Sequence, residues 1–296
     1  MNVGFVGLGV MGAGMAANLL RNGFALGVFA RRPEQARPHL ERGARAFASL
    51  EGLAAWADTV VLSLPRTGDV EAVLFDAGGL AAGLRPGCAV IDTSTVSASA
   101  IRDFARRLAA QGVDLLDAPV SGGQKGAQDG TLTCMVGGDA TAFERLQPVL
   151  RGFARTVTRI GEAGAGQVCK ACNQICVIAS MLGAAEMVAL CLKTGTDPAL
   201  VRQALLGGSA NSTVMQQHVL RLIDQAFAPG FRAELLLKDL RLAVQALQDA
   251  GVEAPVTRSA EPLFAALVDG GRGQLDWSAI GLLVQERSGL APGRAA

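Results

Sequence analysis

Short apolar segments alternate with helical stretches through the first half of the chain, and this alternation restricts the fold more than any other feature of the sequence. The predicted strands cover residues 3–7, 25–30, 59–64, 89–92, 114–117, 133–136 and 156–159. The predicted helices cover residues 11–22, 33–42, 99–111 and 140–152. Strands separated by helices of this size form parallel βαβ units, so we predict a doubly wound α/β sheet.

The strand signal disappears after Gly166, and helical patterns take over. The predicted helices cover residues 166–192, 198–206, 214–226, 233–249, 256–269 and 278–288. A chain of 296 residues has room for two domains. We therefore predict an α/β domain over residues 1–162 and an all-α domain over residues 163–296, joined through a long helix at about 166–192. The tail from Gly289 to Ala296 is expected to be frayed.

A glycine-rich turn directly follows the first predicted strand. It reads Gly7-Leu8-Gly9-Val10-Met11-Gly12 and opens a helix within one βαβ unit of ~30 residues. The first glycine permits the turn, the second lets the backbone approach a pyrophosphate, and the third lets helix and strand pack closely. The free N–H groups at the helix start would face the anion. We predict a Rossmann-type dinucleotide site; a purely structural βα turn is the alternative.

The end of the second strand bears on which dinucleotide is bound. An NAD site usually has Asp or Glu there to hold the ribose 2′-OH. This chain has Ala30-Arg31-Arg32 instead, and no acid until Glu34. Because guanidinium groups suit a 2′-phosphate, we favour NADP(H) over NAD(H). The alternative is that Arg31 and Arg32 are solvated surface charges.

Two segments after later strands could also face a ligand. Ile91-Asp92-Thr93-Ser94-Thr95 follows the fourth strand, and Asp117-Ala118-Pro119-Val120-Ser121-Gly122-Gly123 follows the fifth. Ligands of such sheets bind outside the carboxyl ends of the strands. Ser121 with the amides of Gly122 and Gly123 could bind a carboxylate. A Ser-Gly-Gly segment is equally typical of a flexible turn.

Lys170 is a lone charge at the start of the long apolar helix. No charged residue occurs between Ala171 and Ala185, and Asn173 and Gln174 follow about one turn after Lys170. An ammonium in such surroundings is costly unless an anion meets it. The lysine is therefore a candidate functional residue, unless its stem simply carries the charge to solvent.

Composition argues for a small-molecule ligand. Half of the residues are hydrophobic, 18% are charged, and the net charge of +1 gives no indication of a nucleic-acid or membrane surface. The N-terminal segment reads as a strand and not as a secretory signal. The apolar run 171–185 is shorter than the ~18–20 residues of a membrane span. We expect a cytoplasmic protein with neither nucleic acid nor membrane as partner.

The six cysteines raise the question of a metal or redox site. Cys169-x-x-Cys172 with Cys176 has a suggestive spacing, but no second CxxC follows, and His39 and His218 are isolated. Cysteines on an apolar helix more often serve as small packing residues. We predict buried packing for them and no metal site.

Four motifs in this order and spacing resemble the β-hydroxyacid dehydrogenase family, and the resemblance covers nearly the whole chain. The motifs are Gly4–Gly12 continuing to Asn18, Asp117–Gly123 continuing to Asp129-Gly130-Thr131-Leu132, Gly166-x-x-x-Lys170-x-x-Asn173, and Lys238-Asp239-Leu240. The combination is far more specific than any one of them.

The resemblance implies roles for individual residues. Lys170 matches the catalytic lysine, and Asn173 a residue that helps to place the substrate. Ser121, Gly122 and Gly123 match the loop that binds the substrate carboxylate. The remaining matches are Leu64, Pro65, Thr95 and Lys238 for cofactor contacts, and Phe231 and Asp239 for closure over the site. Gln174 stands where many relatives have a second asparagine, and we expect little consequence.

The resemblance also implies a reaction, in which NAD(P)H reversibly reduces a small semialdehyde to a β-hydroxy acid and Lys170 supplies the proton. Residues 206–214 and 229–232 are most similar to tartronate semialdehyde reductases, so 2-hydroxy-3-oxopropionate (tartronate semialdehyde) leads. Methylmalonate semialdehyde (the 3-hydroxyisobutyrate direction), glyoxylate and succinic semialdehyde are the alternatives. Relatives of this kind imply a homodimer or homotetramer built through the helical domain.

Three other classes of protein are alternatives to such a dehydrogenase. A non-catalytic dinucleotide-binding module would be expected to lose the lysine, and an imine reductase of similar fold usually has Asp or Tyr at that position. A decarboxylating sugar-phosphate dehydrogenase needs a longer helical domain. Lys170 and Asn173 argue against the first two, and chain length argues against the third.

Overall fold

The computed structural model describes residues 1–290; the last six residues of the predicted tail, 291–296, lie outside the described part. The chain divides into one compact unit over Met1–Lys170 and a second that begins at Ala171. An α/β sheet domain thus precedes an all-α domain, as the sequence predicts, and a single long helix runs from one into the other.

The first unit is built on a nine-stranded sheet. Its strands are β1 (Asn2–Val6), β2 (Ala25–Phe29), β3 (Arg45–Ala46), β4 (Thr59–Leu62), β5 (Ala89–Asp92), β6 (Asp114–Asp117), β7 (Val120–Ser121), β8 (Leu132–Gly137) and β9 (Ala154–Gly161). Its helices are α1 (Val10–Arg21), α2 (Pro33–Leu40), α3 (Leu50–Trp56), α4 (Thr67–Phe75), α5 (Leu80–Gly83), α6 (Ala98–Ala109), α7 (Gly123–Asp129), α8 (Ala140–Arg151) and the start of α9 (Ala165–Thr194).

The strand order β3-β2-β1-β4-β5-β6-β8-β7 confirms the doubly wound sheet. All pairs from β3 to β6 are parallel, whereas β8 runs antiparallel to both β6 and β7 and pairs with β9 in parallel. The antiparallel neighbours at this edge lie outside the parallel βαβ units that the sequence predicts. Only the short β7 and the seven-residue α7 separate β6 from β8, and an antiparallel neighbour needs no long helical crossover.

The sheet is buried on both faces. On β1, Val3 and Phe5 face one core, which α1 and α8 cover, while Val6 faces a second core covered by α3, α4 and α6. This division follows from the two-residue period of a strand, which sends neighbouring side chains to opposite faces. Strands in which every residue is buried, such as Thr59–Leu62, are typical of a sheet covered on both sides.

The second unit is helical. Its helices after α9 are α10 (Pro198–Leu205), α11 (Val219–Ile223), α12 (Ala233–Asp249), α13 (Pro255–Leu267) and α14 (Ile280–Arg287), with π-helical turns at Val214–His218 and Val268–Arg272 and a 3-10 turn at Trp277–Ala279. The core of the second unit contains Met181 of α9, Leu236 of α12 and Phe264 of α13.

Several short elements were not predicted: β3, α3, α4, α5, β7 and α7. These elements have between two and nine residues, too short for a periodic pattern to stand out. Tertiary packing stabilises them; β3, for example, is a two-residue strand paired with Gly27 and Val28 of β2.

The long helix α9 is apolar enough to cross a membrane by length and composition alone. Its most apolar 18-residue window has a mean hydropathy of 2.2, and 39% of that window is buried. A core helix of a soluble protein has the same properties, and α9 supplies Ile178, Met181 and Ala185 to the core of the helical unit.

The prediction that the cysteines of this helix are buried is wrong for Cys172 and Cys176, which are exposed. They lie one turn apart on the same side of α9, away from the core residues. Because the helix is apolar all round, its sequence cannot show which face is buried. All six cysteines are free thiols, and within residues 1–290 no group of three His, Cys, Asp or Glu is placed to hold a metal.

The chain contains two histidines: His39 in the first unit is buried, and His218 in the second is half-buried. In the described structure, the Nδ1 atoms of His39 and His218 are both buried without a hydrogen-bond partner. Burial lowers the pKa of His39, and Arg42 lowers it further. Burial also lowers the pKa of His218, which lies edge-on to the Trp277 ring at 4.8 Å between centroids.

We predict that both units lose stability in mild acid. A histidine whose pKa is lower in the folded state binds more protons when unfolded, so the free energy of unfolding falls as pH drops below the ordinary value of 6.5. Trp56 and Trp277, one in each unit, allow urea unfolding to be followed separately in Trp56→Phe and Trp277→Phe backgrounds. His218→Phe should flatten the acid dependence reported by Trp277 and leave that of Trp56 unchanged. An unaltered Trp277 profile would contradict the assignment.

Candidate active site

The glycine turn between β1 and α1 has the shape that a dinucleotide pyrophosphate needs. Gly7 has φ +101, which favours glycine, and a Cβ there would lie 2.2 Å from the Ser63 carbonyl oxygen. A Cβ on Gly12 would lie 1.9 Å from the Gly7 carbonyl oxygen, so helix and turn can touch only because glycine is present. A Cβ on Gly9 would meet open space.

The start of α1 completes this turn. No side chain caps its N-terminus, and its first turn contains no acidic residue. The N–H groups of Val10, Met11 and Gly12 belong to the first turn, where helical N–H groups have no intrahelical acceptor. The residues present therefore fit a bound pyrophosphate.

The two arginines predicted to read the adenosine end follow β2 directly. Arg31 and Arg32 are exposed, and Arg32 Nε lies 4.0 Å from Glu34 Oε1 in a pair whose side chains are both 70% exposed. Such an exposed pair contributes little to stability. Both guanidinium groups are accessible to an anionic ligand.

The turn after β5 contains the predicted cofactor residue Thr95 and is tied to its neighbours by Ser94. The Leu64 amide donates to Ser94 Oγ at 2.8 Å, and the Ser94 amide donates to Asp92 Oδ1 at 3.0 Å. Leu64 is half-buried and Pro65 is exposed at the end of β4. The residues matched to cofactor contacts in this unit thus lie on adjoining strand ends, β4 and β5 being paired.

Asp117, at the end of β6, anchors the N-terminus of α9. Its Oδ1 accepts from the Gly164 amide and its Oδ2 from the Gln167 amide, both at 2.8 Å. Burial raises the pKa of this carboxyl, although the backbone N–H groups at Gly164, Gln167 and Gly166 act in the opposite direction. The carboxylate fixes where α9 begins relative to the strand ends.

Lys170 lies five residues into α9, and its side chain reaches the predicted substrate turn. Lys170 is 8% exposed. Its Nζ donates to the Val120 carbonyl oxygen at 2.9 Å, directly before Ser121. The ammonium and the Ser121-Gly122-Gly123 turn are therefore neighbours within the first unit.

The turn itself depends on its glycines. Gly122 has φ +130 and Gly123 has φ +61, and both are exposed. It leads into α7, which packs closely on α1: Asn18 Nδ2 donates to the Ala127 carbonyl oxygen at 2.6 Å, and a Cβ on Gly14 would lie 2.7 Å from that same oxygen. The predicted substrate turn is thus fixed to the helix that follows the phosphate loop.

In the second unit, four polar residues form one hydrogen-bonded chain. Asn173 Nδ2 donates to Gln174 Oε1 at 2.8 Å, and Gln174 Nε2 donates to Asp239 Oδ2 at 2.7 Å. Lys238 Nζ lies 2.9 Å from Asp239 Oδ1. The structure therefore brings the predicted residues Asn173, Lys238 and Asp239 together.

Phe231 is positioned separately, by the loop before α12. Its amide donates to the buried Asp276 Oδ2 at 3.1 Å, and its carbonyl oxygen accepts from the Trp277 amide at 3.0 Å. Its half-buried side chain packs on the helical core.

Three supporting residues received no role from the sequence: Asp117 as a helix anchor, Gln167, and Gln174 as the bridge to Asp239. Gln174 was noted only as a departure of little consequence. A buried strand that ends in an acid was the one signal for Asp117. The two glutamines gave none, because the partners that define these roles, Ser94 for Gln167 and Asp239 for Gln174, are distant in sequence.

Two family models match the chain. Residues 2–161 match the NAD binding domain of 6-phosphogluconate dehydrogenase. Residues 164–284 match the NAD-binding domain of NADP-dependent 3-hydroxyisobutyrate dehydrogenase.

Individual relatives agree. A 2-hydroxy-3-oxopropionate reductase of Escherichia coli is 39% identical over 280 residues, covering 95% of this chain and 96% of the relative. An NAD-dependent L-serine dehydrogenase of Pseudomonas aeruginosa is 34% identical over 294 residues, covering 97% of this chain and 99% of the relative. The crystal structure of a 3-hydroxyisobutyrate dehydrogenase from Salmonella typhimurium is 32% identical, with a TM-score of 0.87, 96% of this chain and 99% of that chain covered.

The chain belongs to the β-hydroxyacid dehydrogenase family. This confirms the resemblance seen in the four motifs. It also confirms that the protein is a dehydrogenase of hydroxy acids that uses a nicotinamide dinucleotide, which removes the non-catalytic module as an alternative. Family membership leaves the individual hydroxy acid open, because these three relatives bear three different substrate names.

Proposed function

We propose that this β-hydroxyacid dehydrogenase interconverts 2-hydroxy-3-oxopropionate and the corresponding hydroxy acid, with NADP(H) as the preferred cofactor. The observation that carries the catalytic part is the contact of Lys170 Nζ with the Val120 carbonyl oxygen at 2.9 Å. It puts a proton donor beside a glycine turn suited to a carboxylate. Such a pair would hold a substrate in which one carbon separates the carboxylate from the reacting carbonyl carbon.

Each residue then has a defined task in reduction. Ser121 and the amides of Gly122 and Gly123 bind the carboxylate of the semialdehyde. The nicotinamide supplies the hydride when bound. Negative charge develops on the aldehyde oxygen, and the Lys170 ammonium stabilises it and donates the proton, which gives the alcohol. In oxidation, neutral lysine accepts the hydroxyl proton.

Asn173 and its chain of partners support the substrate in this proposal. Because Asn173 Nδ2 donates to Gln174, the Asn173 amide group has a fixed orientation, with its Oδ1 and second N–H left for other bonds. Asp239, bound to Gln174 and Lys238, holds that orientation. Phe231 and Lys238 keep the closing and cofactor roles that the family motifs imply.

The choice of substrate is supported by the 39% identity to a 2-hydroxy-3-oxopropionate reductase along nearly the full length of both chains. Methylmalonate semialdehyde, the 3-hydroxyisobutyrate direction, is second, since a solved relative of that name has a TM-score of 0.87. Glyoxylate and succinic semialdehyde follow.

The deciding experiment is kcat/KM for the wild-type enzyme with these four compounds. We expect 2-hydroxy-3-oxopropionate to be turned over at least about tenfold more efficiently than the next compound, a difference of about 1.4 kcal/mol in transition-state binding. A different leading compound would overturn the substrate, and no turnover of any would overturn the semialdehyde reaction.

Lys170→Ala supplies the mechanistic control. A positioned proton donor contributes about 10²–10⁴-fold, so kcat should fall by at least about a hundredfold while the protein stays folded. Lys193→Ala, at the exposed end of the same helix, should retain wild-type kcat. If Lys170→Ala keeps more than about a tenth of kcat, the acid–base role is wrong.

NADP(H) preference rests on Arg31 and Arg32, which are accessible and stand where an NAD site would usually have an acid. The family description of residues 164–284 names an NADP-dependent enzyme, while one relative is NAD-dependent. We favour NADP(H) because the guanidinium groups of Arg31 and Arg32 can bind the 2′-phosphate with charge-assisted hydrogen bonds.

We predict that Arg31→Ser/Arg32→Ser lowers kcat/KM for NADPH by about tenfold to a hundredfold, the effect of losing one charge-assisted hydrogen bond. The value for NADH should change by less than about threefold, since NADH has no 2′-phosphate. Arg37→Ser, which removes an exposed arginine of α2 paired with Glu41, serves as the matched control. Strong NADH preference in the wild type would contradict the role of both arginines.

We further propose a homodimer or homotetramer built through the helical unit. In the single chain, α9 leaves Leu190 65% exposed, and Leu200 on α10 is 64% exposed; Cys172 and Cys176 are exposed as well. An apolar helix face of this kind marks an association surface. By light scattering, the wild type should be oligomeric and Leu190→Glu should shift toward monomer, whereas Leu40→Glu on α2 should not. A monomeric wild type would refute the proposal.

A cytoplasmic location is part of the proposal. The support is that all six cysteines are free thiols, as is usual for proteins of reducing compartments.

A further inference from the structure

Gln167 is a buried polar residue of α9 that the proposed mechanism does not use. It is 4% exposed and lies one turn before Lys170. Its Nε2 donates to the Ser94 carbonyl oxygen at 2.8 Å, and its Oε1 accepts from the Val96 amide at 3.1 Å. Both ends of one amide group therefore bind the main chain on either side of Thr95.

The backbone of the same residue is fixed to another strand end. Its amide donates to Asp117 Oδ2 at 2.8 Å. The neighbouring Gly166 allows this approach, because a Cβ there would lie 2.4 Å from the Met135 carbonyl oxygen and 2.7 Å from that of Asp117. The first turn of α9 therefore packs so closely against the end of β6 that no side chain fits at Gly166.

These bonds form a continuous path from the predicted cofactor residues to the proton donor. It runs from the Leu64 amide to Ser94 Oγ, from the Ser94 carbonyl oxygen to Gln167, and along one turn of helix to Lys170. Lys170 then reaches the Val120 carbonyl oxygen. Any shift of the turn at Ser94–Val96 would move the base of Lys170 with it.

We infer that Gln167 is a positioning residue that couples the cofactor turn at Ser94–Val96 to the helix carrying Lys170. The inference rests on the proposed function of Lys170. Gln167 keeps the ammonium at its place beside the substrate turn, and cofactor contacts with Thr95 reach the lysine through it. A misplacement of about 1 Å in such a group can lower a rate by about a hundredfold.

Two variants of similar shape test this role. Gln167→Met removes both side-chain hydrogen bonds, and we expect kcat to fall by about tenfold to a hundredfold with a less than threefold change in NADPH affinity, measured by fluorescence. In Gln167→Glu the ionised side chain repels the Ser94 carbonyl oxygen, whereas the protonated acid can donate to it as glutamine does. Burial raises the pKa of such a glutamate, so its kcat relative to wild type should rise as pH falls, unlike that of Gln167→Met.

A merely structural residue would give a different pattern. Loss of folded protein would scale kcat with the folded fraction seen by circular dichroism, and the two variants would share one pH profile. That result, or a Gln167→Met kcat within threefold of wild type, would overturn the positioning role. Gln111→Met, at an exposed glutamine after α6, is the matched control and should behave as wild type.

Hydrogen–deuterium exchange separates this inference from the proposed function. In the wild type, NADPH should slow exchange both at residues 94–96 and at the start of α9, residues 166–170. In Gln167→Met the protection at 94–96 should remain and that at 166–170 should be lost. Protection of both segments in the variant would refute the coupling, whichever semialdehyde the wild type turns over and even if it turns over none.

Discussion

The site depends on one buried carboxylate, that of Asp117. An ionised carboxylate away from water is costly unless hydrogen bonds and charge compensate it. Here the compensation comes from the N–H groups at the start of a thirty-residue helix, which supply two hydrogen bonds of 2.8 Å and the positive end of the helix dipole. Desolvation still raises the pKa of this carboxyl. The group that carries the free-energy cost of burial is thus the same carboxylate that determines where α9 begins.

The same stretch of chain that anchors the helix also forms the substrate turn. Asp117 is followed three residues later by Val120, whose carbonyl oxygen accepts a hydrogen bond from Lys170 Nζ at 2.9 Å, and then by Ser121. The proton donor and the turn are therefore positioned by one short segment, with few rotatable bonds between them. Asn18 and Gly14 of α1 contact Ala127 of α7, the helix that follows this segment, so the helix after the glycine loop supports the substrate side as well as the cofactor side.

Much of this arrangement could be predicted, and the failures have physical causes. The glycine loop, the strands β1, β2, β4, β5 and β6 and the lone Lys170 were visible in the sequence, because each differs from the residues around it. The loop places glycines between a strand and a helix, the strands alternate with helices, and Lys170 is one charge in an apolar run. Asp117 and Gln167 act through partners that are 47 to 73 residues away, and one sequence gives no measure of such pairing. The exposed Cys172 and Cys176 were missed because α9 is apolar on every side, so its period carries no information about burial.

Gln174 shows how a small departure from the family pattern can matter locally. Asparagine at this position would be one methylene shorter than the side chain that here reaches Asp239 Oδ2 at 2.7 Å. Asp239 is 3% exposed, and its two oxygens are engaged by Gln174 and Lys238. We therefore interpret Asp239 as a support that acts through Gln174 on the Asn173 amide. Because Asn173 and Lys170 lie one turn apart on one helix, with a rise of roughly 4.5 Å between them, the helix itself fixes their spacing. The hydrogen bonds through Gln174 to Asp239 need only to fix the direction in which the Asn173 amide points.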